Sequence, residues 1–134
     1  MRNATLVLRW LCALFFTIAG INHFLNPAFY ERIIPPAFPS PHLLNLISGF
    51  FEIVGGLGLL VRPLRRAAGW GLIALLIAVF PANLYMATYP TLFNATPSPL
   101  WTIGVWVRLP MQILLIAWVW FVSLRRANAK RFSP

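Results

Sequence analysis

Five polar residues stand in otherwise apolar stretches of this sequence: His23, Glu52, Asn83, Arg108 and Gln112. Imidazole and carboxylate exchange protons, a guanidinium binds oxyanions or carbonyls, and the two amides both donate and accept hydrogen bonds. Asn45, Ser48 and Glu52 recur at helical spacing, as do Arg108 and Gln112 at i,i+4, so each set forms a polar stripe on one helix face. Pro110, between the last two, frees a backbone carbonyl as a further acceptor. The expected arrangement is an ion pair between Glu52 and Arg108 across facing helices, with His23, Asn83 and Gln112 completing the hydrogen bonds around it.

Two uses of that cluster stand open. In one, a buried pair sets helix register and does no chemistry. In the other, the layer lines a cavity open to the exterior or to lipid, where Arg108 binds a carbonyl or anion and Glu52 or His23 exchanges protons. His42 follows Pro41 at a helix start and has no comparable company. With two histidines and two acidic residues in the whole chain, no metal site is expected. Cys12 is the sole cysteine, which rules out an internal disulfide or a dithiol.

The elements that hold these residues follow from apolar runs. Hydrophobic residues make up 60% of the chain against 10% charged, a balance that needs lipid as solvent. Four runs approach the ~20 residues that cross the hydrocarbon layer as helix: Ala4 to Leu25, His42 to Val61, Ala67 to Tyr89 and Trp101 to Leu124. The runs are continuous, without the polar alternation of a membrane barrel. The expectation is an all-α, single-domain integral membrane four-helix bundle over residues 1–134. Arg9 interrupts the first run and no good cleavage site follows, so this run reads as a retained helix. On these helices the polar residues fall about 5–15 Å inward of the outer ends, in one layer.

Arg2 and Arg9, then Arg62, Arg65 and Arg66, then Arg125, Arg126, Lys130 and Arg131 lie on one side of such a bundle, against Arg32 on the other. Both termini are therefore expected in the cytoplasm of a cell with a bacterial-type inner membrane. The net charge of +9 reads as topology and gives no basic face for nucleic acid. The first outer loop carries Pro27, Pro35, Pro36, Pro39 and Pro41, with Phe29, Tyr30, Ile33, Ile34 and Phe38 between them. A short interfacial helix and a proline-stiffened return are expected there. Glycines at 49, 55, 56 and 58 and at 69 and 71 suit close helix packing.

Several blocks carry a resemblance: Gly20-Ile-Asn-His-Phe24 with Pro27, Ile33-Ile-Pro-Pro36, Ser48 to Leu60 with its Gly-Gly-Leu-Gly core, Arg65-Arg66, Ala78-Val-Phe-Pro-Ala-Asn83, and Arg108-Leu-Pro-Met-Gln112. In this order they resemble the DoxX family of small four-helix membrane proteins. The resemblance implies a membrane subunit linked to redox proteins, an oxidoreductase partner and a quinone-like ligand. The expected function is thus an accessory subunit whose outer-leaflet cavity, with His23, Ser48, Glu52, Asn83, Arg108 and Gln112, holds a quinone-like or lipid molecule. A proton-coupled small transporter, a stand-alone membrane oxidoreductase and a purely structural partner are the alternatives.

Overall fold

The computed structural model describes residues 2–125, so Arg126, Lys130 and Arg131 lie outside the described residues. Five α-helices follow one another: α1 (Arg2–Leu25), α2 (Pro27–Ile33), α3 (Pro41–Gly58), α4 (Arg65–Thr88) and α5 (Pro99–Ser123), with one 3₁₀ turn at Pro90–Leu92. No strand occurs among the described residues. Pro27, Pro41 and Pro99 open α2, α3 and α5. Proline suits this position because the first helical N–H has no intrahelical acceptor to lose. At the start of α5 the Ser98 side chain also accepts from the Trp101 N–H at 3.2 Å.

Three helices are long and apolar enough to cross a membrane: Asn3–Leu25, Arg65–Thr88 and Pro99–Ser123. The second expected span behaves differently. Instead of running from His42 to Val61, α3 has 18 residues and stops at Gly58. Its polar stripe lowers its apolarity, and three glycines in its last turn weaken helix propagation. The chain then turns through Leu59 to Leu64, where the Arg65 Nε donates to the Leu59 carbonyl at 3.0 Å.

Each long helix lies against two others: α1 along α3, α3 on α4, α4 on α5, and α5 back on α1. The α1–α3 contact depends on missing side chains. A Cβ on Gly49 would sit 2.7 Å from the Cβ of His23 and 3.0 Å from the Gly20 carbonyl oxygen. On Gly56 it would sit 2.9 Å from the Ala13 carbonyl oxygen. Glycine at these positions lets the two backbones approach within reach of short polar side chains.

Two apolar cores fill the interior. One, which includes Cys12, Phe16, Leu59, Leu72 and Val119, lies toward the end where α1 begins and α5 finishes. The other, formed by Ile33, Met86, Ala87 and Val105, lies toward the proline-rich end. Outside them the surface is apolar: Trp10, Leu14, Trp70, Ile77 and Ile113 are all exposed. Arg9, by contrast, turns inward and its Nε donates to the Val122 carbonyl at 3.0 Å. That carbonyl is one of the last four of α5, which lack intrahelical donors and carry the negative end of the helix dipole.

Candidate functional site

The most enclosed polar cluster lies between α1 and α3 in the proline-rich half. Asn45, Gly49 and Glu52 share one face of α3, and the glycine between the two polar residues admits His23 from α1. His23 Nδ1 lies 2.7 Å from Asn45 Oδ1, and Asn45 Nδ2 donates back to the His23 carbonyl at 3.1 Å. On the other side of the ring, Nε2 lies 3.5 Å from Glu52 Oε2. Glu52 is 9% exposed, and this oxygen is buried without a hydrogen bond among the described residues. A buried carboxyl oxygen without a hydrogen bond carries a desolvation cost that a packing role alone does not require.

Tyr30 covers the cluster from α2. Its ring stacks on His23 at a centroid distance of 3.7 Å and an interplanar angle of 21°. Its hydroxyl accepts from Asn22 Nδ2 at 2.7 Å, and Asn26 Nδ2 donates to Asn22 Oδ1 at 2.6 Å. Asn22 and Tyr30 also form the polar end of a groove of about 430 Å³ on α1, otherwise walled by Phe15, Ile18, Ala19, Ile21 and Leu25.

Four consecutive residues of α2 reach four different elements. Phe29 lies 6.0 Å under the Arg108 guanidinium of α5, and Tyr30 stacks on α1. Glu31 pairs with His42 of α3 at 2.6 Å, and Arg32 Nη2 donates to the Leu92 carbonyl at 2.9 Å. His42 thus has a partner that its position in the sequence did not suggest. A seven-residue helix held in this way is a cover over His23 rather than a free loop.

The expected Glu52–Arg108 pair is not formed. Glu52 faces His23, while Arg108 is exposed and meets the Phe29 ring. The reason is the order of helices: α3 packs chiefly on α1 and α4, and α5 on α4 and α1, which leaves α3 and α5 diagonal. Asn83 and Gln112 form a second, separate cluster between α4 and α5. Asn83 Nδ2 donates to Gln112 Oε1 at 3.0 Å, and Gln112 Nε2 donates to the Leu76 carbonyl. That carbonyl lies one residue before Ile77, whose own carbonyl loses its helical donor to Pro81. Ser48 is half-buried and makes no side-chain hydrogen bond among the described residues.

Three residues of the site carried too little signal to be placed in it from sequence. Asn45 belonged to the α3 stripe, and its spacing of seven from Glu52 was the available clue. Tyr30 and Asn22 gave none, since only the turn of the chain after Leu25 brings α2 back over α1.

No curated protein and no solved structure is detectably similar to this chain. One family model matches, over residues 11–123, and its description is a domain of unknown function, DUF8561, not DoxX. The resemblance to DoxX is thereby overturned, and the redox partner and quinone that rested on it lose their support. Its blocks were glycines, prolines and helix-embedded amides, residues that close packing between membrane helices calls for in many unrelated chains. The matched stretch contains His23, Asn45, Glu52, Asn83, Arg108 and Gln112, and the chain belongs to the DUF8561 family.

Proposed function

We propose that this protein crosses the cytoplasmic membrane four times, with both ends on the cytoplasmic side, and serves as a non-catalytic binding subunit for a lipid-like amphiphile taken from the outer leaflet. Four spans are supported by α3, which at about 27 Å nearly matches the hydrocarbon thickness and packs against two of the longer helices. The orientation is supported by Arg9, Arg65 and Arg125, which gather where α1 begins and α5 ends.

The ligand reading is carried by one observation: the buried Glu52 oxygen without a hydrogen bond faces His23, the His23 ring lies under Tyr30, and Tyr30 is itself a wall of an apolar groove. The groove is open on the outer face of α1, and its surface of Phe15, Ile18, Ile21 and Leu25 suits a hydrocarbon chain. Because the Tyr30 hydroxyl accepts from Asn22, its own hydrogen is available to an acceptor such as a carbonyl on the ligand head. His23 and Glu52 behind it would exchange protons with that head once Tyr30 moves aside.

The test is to purify the chain in mild detergent, extract it with organic solvent and identify what is released. A stoichiometric amphiphile is expected from the wild type, with loss of it from Tyr30→Ala and Glu52→Gln at undiminished membrane accumulation. Recovery of bulk lipid only, in equal amounts from all three, overturns the reading. A structural pin between α1 and α3 is the competing account, favoured by the double contact between Asn45 and His23. It predicts that Glu52→Gln fails to accumulate.

A further inference from the structure

The direction of the Asn45 amide fixes how the histidine can titrate. Asn45 Nδ2 is committed as a donor to the His23 carbonyl, which leaves Oδ1 facing His23 Nδ1 at 2.7 Å. An amide oxygen only accepts, so Nδ1 must bear a hydrogen in both the neutral and the charged ring. Protonation and deprotonation are therefore confined to Nε2. That nitrogen faces Glu52 Oε2 at 3.5 Å, and this oxygen has no hydrogen bond elsewhere among the described residues.

From these contacts we infer that His23 and Glu52 form a one-proton site, with Asn45 as its positioning residue. In hydrocarbon the pair is least costly at zero net charge. With Nδ1 always protonated, neutrality requires one proton between Nε2 and Oε2. Either the O–H bond of a carboxylic acid is intact and Nε2 accepts, or that bond is broken, an N–H bond is formed and an imidazolium faces a carboxylate. The exchange between these forms leaves total charge unchanged, so the pair gains or loses protons only as a unit.

Other ionisable groups do not interfere with this accounting. Tyr30 of α2 covers the ring face with its hydroxyl turned to Asn22. Arg108 of α5 is engaged by Phe29, and Tyr85 of α4 by Tyr89 and Phe93. Glu31 and His42 pair with each other at the surface. A ligand that enters beside Tyr30 would thus meet a neutral pair, which becomes an anion if it gives its proton to the ligand and stays neutral only if it takes one back in the same exchange.

This inference deepens the proposed proton exchange and rests on it, but its test is separate. The full chain carrying His42→Gln, labelled with ¹⁵N at histidine and reconstituted in phospholipid nanodiscs, leaves one imidazole to observe. Nitrogen NMR is expected to show Nδ1 protonated throughout about pH 5–8, the range in which an isolated histidine titrates. Asn45→Leu is expected to lose that preference, with the Nε2–H tautomer appearing, and Asn45→Asp to keep Nδ1 protonated. An unprotonated Nδ1 in the Asn45-containing protein overturns the inference, whether or not Asn45→Leu folds. The expected tautomer together with no extractable amphiphile would sink the ligand reading alone. The wrong tautomer with a retained amphiphile would sink only the one-proton site.

Discussion

Glu52 and Arg108 are both ionisable residues on helices, yet their surroundings demand opposite outcomes when each is replaced. The Glu52 carboxyl is enclosed by α1 and α3 and faces a histidine, so Glu52→Ala leaves a cavity and an imidazole nitrogen with no partner. A loss of about 1–3 kcal/mol is expected, read as a lower thermal midpoint in detergent. Arg108 is exposed and its guanidinium lies over the face of Phe29, so Arg108→Leu should leave that midpoint nearly unchanged. Equal destabilisation by the two variants would mean that the two side chains do interact. Gly49→Leu is the third case at this scale. Its Cβ would collide with His23 and Gly20, and overpacking of about 1–3 kcal/mol or more should separate α1 from α3. Because the same collision displaces the imidazole, the variant should also lose the Nδ1-protonated signal of His23.

Among the elements, α2 and α4 show how local sequence acts through position. The four outward contacts of α2 make it a cover whose closure depends on Tyr30 more than on the surface pair of Glu31 and His42. Tyr30→Ala should speed modification of His23 by a water-soluble imidazole reagent in a His42→Gln background, several-fold over the tyrosine-bearing protein. No change in rate would place the access route elsewhere. In α4 the tie to α5 runs through Gln112, which donates to the Leu76 carbonyl, whereas the carbonyl that Pro81 leaves without its helical donor is that of Ile77. Gln112→Leu removes the side-chain donor to Leu76 and strands Asn83, with an expected cost of about 1–3 kcal/mol seen in the same thermal assay.

For the molecule as a whole, large apolar residues cover much of the outside as well as filling the two cores, which a protein that folds in water avoids. The native cysteine helps to test how this body sits in a bilayer. Cys12 is fully buried, so the wild type should resist membrane-impermeant thiol reagents on intact cells. Cysteine placed at Ser40 should then react from outside, while cysteine placed at Arg62 should react only after the cells are opened. Labelling of both from the same side would overturn the four-span topology and leave the three long helices as the spans.

Charge and apolar runs act one residue at a time, and for that reason membrane helices could be read from the chain to within about two residues at α1, α4 and α5. How far each polar residue lies from its own helix end could be read in the same way, because rise per residue is constant along a helix. Which of them meet could not. Pairing depends on which helices are neighbours and on how closely their backbones approach, and both are settled by packing between residues far apart in the chain. Hence Glu52 meets His23 rather than Arg108, and Asn45 and Tyr30 become parts of a site that spacing alone could not assemble.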